Sequence, residues 1–127
     1  MATDVTTAAK LRMGNADVAA ADLTDWSVIP SAIEGEAGLQ TRGQEFWTRE
    51  DGKVSTGIWE CEPGTFTSRF AGRGEFITIV AGELDCTAED GTVTELRAGD
   101  SMTFPEGWTG TWHVKSRVRK VYAEFKG

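Results

Sequence analysis

The chain has 127 residues, 39% of them hydrophobic and 26% charged, the size and balance of one globular domain that buries roughly two-thirds of its unfolded surface. Its net charge of −7 sets it against phosphate backbones and anionic lipid, so neither nucleic acid nor membrane is an expected partner. No apolar run approaches the roughly 20 residues of a spanning helix, and residues 1–22 lack the basic start and apolar core of a secretory signal, so a cytoplasmic location is expected.

Residues 1–22 are rich in alanine, threonine and aspartate and read as an N-terminal arm with one helical turn over Ala8–Met13. From Trp26 the pattern changes to short β-branched and aromatic runs, and residues 23–127 read as one all-β barrel or sandwich. The runs are separated by turn signals at Glu50-Asp51-Gly52, Pro63-Gly64, Glu89-Asp90-Gly91 and Glu106-Gly107. Trp59 and Cys61, two apart, would share a strand face. Phe76–Ala81 reads as an apolar strand covered on both faces, at the centre of the fold. Gly82–Thr87 alternates apolar with polar, Asp90-Gly91 supplies a tight turn, and Thr92–Leu96 returns as the second strand of a hairpin. The glycines of Gly72-Arg73-Gly74 precede a strand rather than a helix, so they do not form a phosphate loop. Cys61 and Cys86 lie in separate strands outside any CxxC pair and are expected to be buried free thiols.

Two glycine-bracketed stretches carry a family resemblance. GTFTSRFAGRGEFITIVAG (64–82) and GDSMTFPEGWTG (99–110) resemble the two signature motifs of the cupins. In the first, Gly64, Glu75 and Gly82 take the glycine, glutamate and glycine places, and Phe70 and Gly72 fall where histidines usually stand. In the second, Gly99, Pro105 and Gly107 match, and Gly110 holds the histidine place. The chain's single histidine, His113, falls on the strand face opposite Gly110 and Trp112. Phrases such as GIWECEPG and VRKVY look like the ethanolamine-utilisation and ureidoglycine aminohydrolase-like cupins, a subgroup that often lacks these histidines. The resemblance implies a single-domain, RmlC-like jelly-roll β-barrel and a homodimer.

Cupin chemistry usually follows from a metal held by three histidines and the glutamate, and here the motif positions supply Glu75 alone. No metal and no cofactor is therefore expected. Glu75 has two readings: a strand-end carboxylate paired with Arg69 or Arg73 at the rim, or a pocket carboxylate with Lys120 as its internal partner, provided Lys120 and Tyr122 both face inward. The ligand-binding pocket is expected to comprise Trp59, Phe70, Glu75, Trp112 and Tyr122, an apolar cavity with few polar groups. Its aromatic faces suit a cationic guest whose charge Glu75 would complement. Arg117, Arg119 and Lys120 form the densest basic run and read as a solvated face, and His113 as a surface or interface residue.

Three functions stay open on these grounds. The first is a small-molecule-binding cupin with an incomplete metal site. The second is a hydrolase or isomerase of a small nitrogen-containing metabolite, with Glu75, Lys120 and Tyr122 as its candidate catalytic set. The third is a structural dimerisation module with a solidly packed barrel.

Overall fold

A computed structural model describes residues 27–28 and 39–127; the arm assigned to residues 1–22 lies outside them. The described chain is all β: β1 (Ser27–Val28), β2 (Gln40–Thr48), β3 (Val54–Cys61), β4 (Gly64–Arg69), β5 (Arg73–Ala88), β6 (Val93–Arg97), β7 (Ser101–Phe104) and β8 (Thr109–Lys126). Every pairing is antiparallel, in the order β1-β2-β3-β8-β5-β6, with β4 also on β8 and β7 on β5. This is a jelly-roll barrel of one domain, as the turn spacing predicts. No helix among the described residues is long and apolar enough to cross a membrane.

Two long strands organise the barrel. β8 runs antiparallel to β5 over most of its length, pairs with β4 through Thr109–Val114, and pairs with β3 through Val118–Phe125. Register shifts between Ile79 and Leu84 bend β5 where the two halves meet, as extra residues in one strand of a pair do.

The β5–β6 hairpin forms where the sequence places it, with a longer turn than expected. Ala88 N–H donates to Thr92 O and Gly91 N–H to Ala88 O, and Gly91 has φ +88°. That is a three-residue loop closed by a left-handed glycine, a conformation other residues adopt only with strain.

The interior is aromatic. Phe70 stacks on Phe104 with centroids 5.2 Å apart, and Phe104 and Phe66 both lean on Trp112 at 5.0 and 5.3 Å. Ile77, Ile79, Leu84, Val114, Val118, Cys61 and Cys86 complete the buried cluster. Both cysteines are free and buried, as expected.

Two expectations need correction. The Phe76–Ala81 segment is central in hydrogen bonding, yet it is covered on one face only: Ile77 and Ile79 are buried while Phe76 is 45% exposed. A barrel strand has a single interior side, so apolar content alone does not distinguish it from a strand packed on both faces. The basic run 117–120 is not a solvated face either. Lys120 turns inward, Arg119 is buried on the outer face against Glu60 at 2.5 Å, and Arg117 is exposed and pairs with Glu62 at 2.7 Å. Arg42 adds a second contact to Glu60 at 2.5 Å. Successive strand residues point to opposite sides, so Lys120 reaches Glu75 inside the barrel while its neighbour Arg119 reaches Glu60 outside, a carboxylate that Arg117 also approaches at 3.9 Å.

Candidate functional site

Strand alternation and register build the site. Trp59 pairs across with Lys120 and Gly57 with Tyr122 between β3 and β8, while Ile79, Ile77 and Glu75 of β5 face Lys120, Tyr122 and Glu124. Residues opposite one another in an antiparallel pair project to the same side, so Lys120, Tyr122 and Glu124 descend the inside of the barrel beside Glu75. From β4, Phe66 and Ser68 project inward, with Phe70 just beyond its end. Together they wall a cavity of about 260 Å³, within reach of a small metabolite.

All six residues singled out from the sequence, Trp59, Phe70, Glu75, Trp112, Lys120 and Tyr122, line this cavity. Glu75 and Lys120 are each 6% exposed, and Lys120 Nζ donates to Glu75 Oε1 in a buried ion pair. The rim pairing of Glu75 with Arg69 or Arg73 is therefore set aside: Arg73 Nη1 instead reaches Glu124 Oε2 at 3.0 Å, and its guanidinium lies 5.0 Å from the Phe70 ring centroid. The ring faces of Trp59 and Trp112 do meet an ammonium, but it is the chain's own. Lys120 Nζ sits 4.7 Å from both ring centroids and 5.9 Å from that of Tyr122.

Gly57 shapes the wall by being small. A Cβ there would come within 2.7 Å of the Tyr122 hydroxyl and 2.3 Å of Gln44 O, so only glycine lets the phenol lie along β3. Burial, reinforced by Glu45, Glu75 and Glu124, pushes the Tyr122 hydroxyl up to about 12. It remains a hydrogen-bond donor throughout the neutral range. The indole N–H of Trp112 is buried with no acceptor among the described residues.

The sequence missed Phe66, Ser68 and Arg73 as wall residues. Phe66, Ser68 and Phe70 follow a period of two, and that signal was sufficient to find them. Gln44 and Glu45 of β2 also line the cavity, from a run, TRGQEFW, with no apolar alternation to reveal which side faces in.

Cupins usually hold a metal, and the residues here do not fit one. Among the described residues, no three of His, Cys, Asp and Glu come together. Glu75 is engaged by Lys120 and Glu124 by Arg73. Asp85 pairs with Lys115 at 3.1 Å and Glu62 with Arg117 at 2.7 Å. Burial holds the Cys61 and Cys86 thiols up at about 12, whereas a metal binds the thiolate. At Gly110, a Cβ would fall 2.3 Å from Thr87 O and 2.5 Å from the Trp108 ring, so no ligating side chain can stand there. Gly72 lies in an open turn, φ +71°, and His113 is exposed.

A sequence model described as the EutQ-like cupin domain matches residues 48–122, more than half of the chain. No curated protein matches it. Among solved structures it is similar to the EutQ protein of Clostridium difficile, with 18% identity over 72% of this chain and 66% of that one and a TM-score of 0.63. A DUF861-family protein of unknown function from Pseudomonas syringae pv. tomato aligns with 24% identity over 83% of this chain and 45% of its own, at a TM-score of 0.71. Ectoine synthase from P. lautus aligns with 13% identity over 92% and 78%, at 0.64. The chain thus spans just under two-thirds of the first of these proteins and less than half of the second. Identities this low establish a common fold, and one fold hosts many chemistries.

Proposed function

The chain belongs to the EutQ-like cupin domain family, and from that premise we propose that it is a small-molecule-binding cupin whose ligand occupies the aromatic-walled cavity between β3, β4, β5 and β8. One observation carries the reading: a carboxylate and an ammonium, Glu75 and Lys120, meet on the wall of a cavity instead of being replaced by apolar packing. Desolvating two charges costs several kcal/mol per ion, and a hydrophobic pair of similar volume is often the more stable choice. An ion pair held at that cost beside open space is therefore better accounted for by ligand recognition than by stability. The cavity itself weighs against a barrel that serves only as a solid dimerisation module.

The test is a metabolite screen read by thermal shift and tryptophan fluorescence, since Trp59 and Trp112 stand on the cavity wall. At least one small polar compound should raise the unfolding temperature and change the emission. Tyr122→Phe should weaken its binding by about tenfold, one lost hydrogen bond to a charged or strongly polar group. Silence across the screen, or binding indifferent to Tyr122→Phe and Lys120→Met together, would reject the site.

A second reading is favoured by the convergence of Glu75, Lys120 and Tyr122 on one cavity wall. It is hydrolysis or isomerisation of a small nitrogen-containing metabolite, in line with the ureidoglycine aminohydrolase-like subgroup. Glu75 would move the proton while Lys120 and the Tyr122 hydroxyl hold developing negative charge. Turnover unaffected by Glu75→Gln would exclude it. A homodimer in the cytoplasm completes the proposal. Phe76, Thr78, Val121 and Ala123 adjoin across β5 and β8, a patch with an exposed phenylalanine suited to a second copy. Light scattering should give twice the chain mass, and Phe76→Glu should reduce it to one.

A further inference from the structure

Resting on the cavity as a ligand site, the charges along its wall decide which ligand it takes. An ammonium has three N–H donors and no acceptor. Lys120 Nζ gives one to Glu75 Oε1, and it stands over the ring faces of Trp59, Trp112 and Tyr122. Ring faces stabilise the charge but are weaker acceptors than oxygen, so the ammonium keeps donor capacity for a further oxygen. The Tyr122 and Ser68 hydroxyls and the Arg73 guanidinium add donors to the same wall. Of its other acids, Glu124 is answered by Arg73 at 3.0 Å. Glu45 is exposed, so water and salt weaken its field at the cavity, although it still acts on the Tyr122 hydroxyl.

A cationic guest meets the opposite situation. The tryptophan faces that would receive it hold Lys120, and the carboxylate that would neutralise it is engaged by the same residue. We infer that the cavity takes a small anionic ligand bearing a carboxylate, bound by the spare N–H donors of Lys120 together with the Tyr122 hydroxyl, and that Lys120 excludes amines by occupying their place. Glu75 then acts as a competitor for the ammonium, restraining carboxylate affinity.

Three probes of one shape and different charge test this: butanoate, butanamide and butylammonium, titrated into the full chain at millimolar concentration with tryptophan emission as readout. On the unmodified protein, butanoate should bind about tenfold more tightly than either of the others. Glu75→Gln should tighten butanoate by a further tenfold or so, because it removes the competing carboxylate. Lys120→Met should abolish butanoate binding and allow butylammonium to bind between the vacated ring faces and Glu75. Circular dichroism of each variant establishes that it is folded. Should either single variant fail to fold, the order of the three probes on the unmodified protein decides alone. Preference for butylammonium or butanamide there, or a looser butanoate complex in folded Glu75→Gln, overturns the inference while leaving a binding cavity. A protein that binds none of the three and nothing in the metabolite screen loses the binding reading as well.

Discussion

Lys120 and Glu75 meet where water is nearly excluded, and the energetics of such a pair are asymmetric. Removing one member leaves the other charge buried and unanswered, whereas removing both leaves neither. Lys120→Met and Glu75→Met should therefore each lower the unfolding free energy by about 3–5 kcal/mol, and the double substitution should lie within about 1–2 kcal/mol of the unmodified protein. Urea unfolding of the four proteins measures this, and additive single effects would refute it. The pairing was legible in the sequence because alternation places residues 120 and 122 on one strand face. That Arg73 prefers Glu124 was not, since the choice depends on β5 and β8 pairing in a register that sets Glu75 opposite Glu124, and register is a property of two strands together.

At the scale of elements, the legible parts of the fold were those written in backbone requirements. The hairpin at Asp90-Gly91 announced itself because a left-handed turn residue is almost always glycine. Side coverage was not legible: Phe76 and Ile77 are equally apolar, and only the closed barrel decides that one faces outward. The β4–β8 contact shows a further requirement at Gly110, which lies between Ser68 and Ala88 in the paired strands. With Thr87 O and the Trp108 ring 2.3 and 2.5 Å from the place of a Cβ, Gly110→Ala should cost about 1–3 kcal/mol through forced displacement of the strand and the indole. A lowered denaturation midpoint with Trp108 emission shifted to the red would report it. An unchanged midpoint would mean that β5 and the indole can move aside.

For the whole molecule, three acids that folding shields from water set a limit at high pH. Cys61 and Cys86 rise from an ordinary 9.0 to about 12, and Tyr122 from 10.0 to about 12, in each case chiefly through burial. A raised value means that the folded state favours the protonated form, so this contribution is complete below the unfolded values and fades as pH climbs from about 9 toward 12. The urea midpoint should stay level on the neutral side of that window and fall within it. Cys61→Ala/Cys86→Ala should flatten part of the fall, and an unchanged slope in that variant would remove the thiols from the account.

One strand carries much of the closure. β8 supplies partners to β3, β4 and β5 at once, and it follows all three in the chain. A ribosome working at about 5–20 residues per second exposes the upstream strands before their shared partner exists. The β2–β3 and β5–β6 hairpins can form on emergence, but the edges that β8 will cover remain open to any other strand nearby. Until residues 109–126 emerge, the nascent barrel is an object that a chaperone, or a neighbouring copy on the same messenger, can bind before its own last strand does.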